Sequence, residues 1–150
     1  MKKYISEDKK AFIVVLYIMY NYSKFSDVDY FHGVAIRAII GNEIKEYPYK
    51  LIRLGKFGGD KEFTAWDFTA GNYKHYFEDT NVIFDYNDRA FTPIITQEDD
   101  YWTIFDYNTK TNLYITGCDG FIQIFDYKRN QNSLYSYETV EERKAKLNRN

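Results

Sequence analysis

One tetrapeptide, Ile-Phe-Asp-Tyr, occurs three times in the chain, at Ile83 to Tyr86, Ile104 to Tyr107 and Ile124 to Tyr127. The copies start 21 and 20 residues apart, a spacing that fits a strand, a turn, a returning strand and a second turn repeated as an antiparallel meander. Neighbouring side chains of a strand point to opposite faces, so each copy sends Ile and Asp to one side and Phe and Tyr to the other. The repeat therefore predicts a sheet with one aromatic face and one aliphatic face that ends in an acid. An Asp before a turn hydrogen-bonds nearby backbone amides and ends its strand, which suits Asp106 ahead of Asn108-Thr109.

Around this block the pattern predicts strands near 62–68, 73–78, 82–86, 90–96, 101–107, 112–117, 121–128 and 133–137. Asn87-Asp88, Asn108 to Asn112, Asp119-Gly120 and Arg129 to Asn132 separate them as turn-forming stretches, with Asp-Gly the strongest hairpin signal. Pro93 donates no ladder hydrogen bond, so its strand is expected at an edge or beside a bulge.

The first part of the chain reads differently. Ser6 suits an N-cap, Glu7 and Asp8 complement the positive end of a helix dipole, and a helix over 7–22 follows. Ala11 to Tyr20 is apolar on every side, so this helix is expected to pack on more than one face, between the sheet and a second helix. That second helix is expected over 27–40, from the Ser26-Asp27-Val28-Asp29 capping pattern and the spacing of Val28, Phe31, Ala35 and Ile39. The same residues also admit a strand, because Val34, Ile36, Ala38 and Ile40 alternate. Between Gly41 and Gly59 the signals conflict: Pro48 can open a short helix, while Tyr49, Leu51 and Arg53 fit a strand. Thr139 and Glu142 form a capping box for a short C-terminal helix anchored only by Val140 and Leu147.

The 150 residues thus read as one α+β domain. Two N-terminal helices, within a mainly helical part over 1–60, pack on an antiparallel meander of five to eight strands over 61–138, and 139–150 forms a helical tail. The run Ala11 to Tyr20 is too short to span a bilayer, which takes about 20 residues. Glu7 and Asp8 interrupt the basic region that a leader peptide would need, and no small-residue cleavage pattern follows Tyr22. Cys118 is the only cysteine; it allows no intramolecular disulfide and fits a reducing compartment, so the cytoplasm is expected.

The net charge of −2 hides a segregation. Residues 1–62 carry 11 basic and 8 acidic side chains, 63–127 carry 3 and 11, and 128–150 carry 6 and 3. An acidic sheet repels phosphate, so it is a poor nucleic-acid platform and a better partner for a basic surface. Lys2, Lys3, Lys9, Lys10, Arg143, Lys144, Lys146 and Arg149 at the two ends read as solvated helix faces.

Little in the sequence points to catalysis. In a meander the three repeated aspartates stand two strands, or roughly 10 Å, apart, too far for one cation to bridge. His32, expected on the second helix near Arg37 and Lys24, and His75, expected half in water on a strand, are the only candidates for proton transfer near neutral pH. Cys118 lies before a tight turn with no neighbouring His, and Gly55, Gly58 and Gly59 lack the spacing of a phosphate loop. No cofactor or metal is implied.

The function expected from these features is that of a small inhibitor or immunity-type protein, not an enzyme, that blocks a basic toxin or defence nuclease through an acidic, aromatic sheet. Tyr101, Trp102, Tyr107 and Tyr127 would supply affinity, and Glu98, Asp99 and Asp100 the rim. The alternatives are a metal-independent ribonuclease using His32 or His75, and a small-molecule or carbohydrate module that stacks its ligand on the aromatic face.

Overall fold

The computed structural model describes residues 4–22, 32–53, 62–87, 89–118 and 120–148. A single helix, α1 (Glu7–Tyr22), is followed by ten strands: β1 (His32–Ile40), β2 (Glu43–Arg53), β3 (Glu62–Asp67), β4 (Asn72–Phe77), β5 (Val82–Asp85), β6 (Ala90–Gln97), β7 (Tyr101–Asp106), β8 (Thr111–Cys118), β9 (Phe121–Asp126) and β10 (Gln131–Thr139). A short helix, α2 (Val140–Leu147), follows β10. Each strand pairs antiparallel with its sequence neighbours, and β1 pairs with β10, so the sheet closes into a barrel.

The α+β arrangement expected from the sequence is therefore wrong. Residues 32–40, expected as the end of a second helix, form β1, with Val34, Ile36 and Ala38 buried; residues 27–31 lie outside the described residues. The alternation of those three side chains was the correct signal, and it prevails because the barrel wall needs a strand with one buried face. The mainly helical part expected over 1–60 is likewise overturned by β2, which pairs with β1 from Glu43 to Leu51 and with β3 from Tyr49 to Arg53. These two strands turn an open meander into a closed wall.

The reason for closure lies in α1, whose residues Ala11 to Met19 are each no more than 5% exposed. Its sides face different strands. Phe12 approaches Tyr49 of β2, with ring centroids 6.1 Å apart, and Tyr17 packs edge-on against Trp102 of β7 at 5.3 Å. Val15, Leu16 and Met19 lie against Leu51, Phe63 and Ala65 of β2 and β3, while Lys9, Lys10 and Asp8 meet β7, β9 and β4. The helix thus runs inside the barrel. At 1.5 Å per residue its length is about 24 Å, close to that of a strand of six to eight residues, so the wall covers it from end to end.

The eight strands expected beyond residue 60 all form. The repeated Ile and Asp face inward and are buried at Ile83, Ile104, Ile124, Asp85, Asp106 and Asp126, whereas Tyr86, Tyr107 and Tyr127 are exposed. Cys118 pairs with Phe121, and Gly120 of the expected Asp-Gly turn has φ +83°; Asp119 lies outside the described residues. Beside Pro93 the register between β6 and β7 shifts at Ile94 to Thr96, the bulge that its missing donor suggests. The Thr139 and Glu142 capping box is present at α2, which lies outside the barrel against β1 and β10.

Four hairpins share one geometry: a four-residue loop after Asp67, Asp85, Asp106 and Asp126, with the fourth loop residue left-handed. That residue is Gly71, Arg89, Lys110 or Asn130, at φ +69°, +52°, +58° and +52°. A side chain other than Gly, Asn or Asp is strained there. Lys110→Gly is expected to raise stability by about 0.5–1 kcal/mol in urea unfolding, whereas Gly71→Lys should lower it.

Candidate functional site

The two ends of the barrel differ chemically. At the first, each hairpin aspartate divides its carboxylate between the turn and a buried lysine. Asp67 Oδ1 accepts from the amides of Thr69 and Ala70 at 2.9 and 3.1 Å, and its Oδ2 from Lys74 Nζ at 2.7 Å. Asp85 Oδ1 accepts from Asn87 N at 2.9 Å while Oδ2 lies 3.5 Å from the same lysine. Asp106 Oδ2 accepts from Thr109 N and Oγ1, and Oδ1 accepts from Lys9 Nζ at 2.8 Å and Thr92 Oγ1 at 2.7 Å. Asp126 Oδ1 holds the amides of Lys128 and Arg129; Lys10 Nζ lies 2.8 Å from its Oδ2, an ion-pair distance with angles outside those of a hydrogen bond. Asp8 adds a further carboxylate, 2.8 Å from Lys74 Nζ.

These groups carry architecture. The three lysines and four hairpin aspartates are at most 1% exposed, so solvent cannot exchange protons with them freely. Burial would raise the Asp106 carboxyl, but Lys9, Thr109 and Thr92 outweigh that effect and hold it below its ordinary value. Asp8 is lowered in the same way, its burial overcome chiefly by Lys74. Burial, together with the charges of Asp67, Asp8 and Asp85, pushes the Tyr49 hydroxyl up; it stays protonated and donates to the carbonyl of Asp8.

Part of this network escaped the sequence reading. Lys9 and Lys10, expected on a solvated face, are instead interior partners of Asp106 and Asp126. A cation in the first turn of a helix opposes its dipole, which is a hint that it needs a carboxylate. Asp67 is the missed fourth member of the repeat, legible in retrospect as the aromatic-Asp-aromatic run Trp66-Asp67-Phe68. Because four acids of the segment 63–127 are internal, its negative charge is less a property of the outer sheet than the residue count implied.

The second end holds the acids that do face solvent. The β6–β7 turn carries Glu98, Asp99 and Asp100, all exposed, and a cavity of about 660 Å³ lies beside it, lined by Tyr17, Tyr20, Asn21, Asp99, Asp100, Thr116 and Gly117. Tyr17 Oη and Thr116 Oγ1 donate to the carbonyl of Asp100 at 3.0 and 2.8 Å, fixing the turn against the helix and β8. The last turn of α1 ends in the same cavity without a basic residue, so its carbonyl ends add partial negative charge to that of the carboxylates.

The residues expected to form one interface are thus divided. Tyr107 and Tyr127 lie in turns at the first end, where Lys110, Lys128 and Arg129 stand beside them. Tyr101 faces outward on β7 and stacks on Tyr114 at 5.7 Å. Trp102 is fully buried against Tyr17 and Tyr20, so it belongs to the core and not to the surface. Of the expected interface residues only Asp99 and Asp100 line this cavity, with Glu98 beside them in the turn. His32 opens β1 instead of lying on a helix. His75 faces outward on β4 among Tyr73, Phe77 and Tyr86 and shares a hydrogen bond with Thr64 Oγ1. Arg37 is tied to Glu46 at 3.5 Å, and Lys24 lies outside the described residues. Among the described residues no group of three His, Cys, Asp or Glu side chains is arranged to hold a metal, and no helix is long and apolar enough to cross a membrane.

The buried pairs give two measurable outcomes. Lys9→Met leaves the Asp106 charge uncompensated and is expected to cost about 3–5 kcal/mol, with part of that recovered in Lys9→Met/Asp106→Asn, which removes the charge and keeps an acceptor for Thr109. Because the folded Asp106 and Asp8 carboxyls sit below their unfolded values, their contribution is complete above the unfolded pKa and is lost as pH falls through the folded pKa. Urea midpoints measured from pH 6 down to pH 2 should fall steeply for the wild type and less for Asp106→Asn. Comparison of the chain with protein-family models, curated proteins and solved structures gives no match.

Proposed function

We propose that the protein is a binding protein, not an enzyme, and that the acidic mouth at the C-terminal end of α1 receives a basic segment of a protein partner. The observation that carries this reading is the convergence on one cavity of Asp99, Asp100 and the carbonyl end of a helix with no basic residue in its last turn. A lysine or arginine entering there meets two carboxylates and the Tyr20 ring, which offers a cation–π face. An inhibitor or immunity-type role follows if the bound segment belongs to the active region of a toxin or defence nuclease, where basic residues otherwise hold nucleic acid. The acids would set the rate of encounter and the choice of partner, and the tyrosines the lifetime of the complex.

Titration calorimetry with Lys- and Arg-rich peptides, and with basic nucleases, tests the reading. Asp99→Lys/Asp100→Lys is expected to weaken binding by about tenfold to a hundredfold and to flatten its dependence on salt. Unchanged affinity in that variant, or no binding of any basic partner by the wild type, would sink the proposal.

A further inference from the structure

The outer face of β3 to β6 presents a continuous run of aromatic rings. Trp66 meets Tyr73 at 4.8 Å, Tyr73 continues to His75 at 6.4 Å, and His75 meets Tyr86 at 5.4 Å. Tyr86 and Phe91 both contact Phe84 at 5.1 Å, and Phe91 turns back to Phe77 at 6.4 Å. Although packed on one another, Tyr73, Tyr86 and Phe91 remain 43%, 52% and 54% exposed, and Ile95 extends the patch along β6 at 61%.

We infer that this aromatic belt is a self-association surface, occupied in solution by a second copy of the chain across a two-fold axis. Size is the first argument. With about 200 Å² per large side chain, the exposed fractions of Tyr73, Tyr86, Phe91 and Ile95 add up to on the order of 400 Å², close to the apolar share of one side of a standard interface. Charge is the second. Among the described side chains no Asp, Glu, Lys or Arg lies between these rings; Lys50, level in the ladder with Trp66, and Arg89 in the β5–β6 turn stand at the borders of the belt. A charged partner would find no opposite charge here, whereas the belt laid on itself desolvates rings against rings and leaves the border charges wet. The surface is separate from the acidic mouth, so this inference does not depend on the proposed function.

Sedimentation analysis of the full chain over about 1–100 µM should show a monomer–dimer equilibrium, and Phe91→Asp should weaken it at least about tenfold with unchanged far-UV circular dichroism. If Phe91→Asp does not fold, Ile95→Lys provides the same test from an exposed position outside the ring contacts. Asp99→Lys/Asp100→Lys should leave the dimer intact. A chain that stays monomeric throughout the range overturns the inference. So does association that survives the belt substitutions, or that disappears on charge reversal at the mouth, which would point to head-to-tail contact between unlike ends.

Discussion

A helix with no polar side must be enclosed. An amphipathic helix can lie on an open sheet, but the stretch from Ala11 to Met19 would leave apolar surface in water on any single layer, at a cost of about 25 cal/mol per Å². The barrel meets this requirement with one wall. Once α1 is placed at the centre, every strand needs a buried inner face, the sheet needs no exposed edge, and Tyr17, Trp102, Tyr49 and Phe12 become contacts between core and wall.

The polar end of the same helix creates the second constraint. Glu7 to Lys10 enter the barrel ahead of the apolar segment, and two lysines cannot be buried without anions. The wall supplies these through residues already committed to another task. Each strand-ending aspartate satisfies turn amides with one oxygen and leaves the other for an ammonium, so the local code for a hairpin also provides the counter-charge for the helix. Lys74 works from the wall in the opposite direction, joining Asp67 and Asp85 to Asp8. Turn formation and helix docking are thereby coupled through the same carboxylates.

What the sequence disclosed follows the range of the interactions involved. Alternation and turn chemistry are local, and they located the eight strands beyond residue 60, the first helix with its Ser6 cap and the capping box at Thr139. Residues 32–40 were misread because the stretch carries two periods at once, Ala35 and Ile39 continuing the helical spacing of Val28 and Phe31 while Val34, Ile36, Ala38 and Ile40 alternate; only pairing with Leu134 to Thr139, about 100 positions away, decides between them. The same distance hid the roles of Lys9 and Lys10, since nothing near them in the chain specifies Asp106 or Asp126. The acidic turn at Glu98 to Asp100 was legible as a charged rim, but its cavity depends on where α1 ends. Trp102 was taken for a surface anchor because a strand alone does not say which face is covered.

The closing seam between β1 and β10 also fixes an order of events during synthesis. The helix leaves the ribosome before any of the strands, while β10, which completes its enclosure, follows the other nine. Until β10 emerges, the helix has only a partial wall around it, and the hairpins that hold Asp67, Asp85, Asp106 and Asp126 can form before their lysines are sealed in. The nascent chain is in this respect an open sheet waiting for its last stave, and its exposure to chaperones and to aggregation is set by the time needed to make that stave.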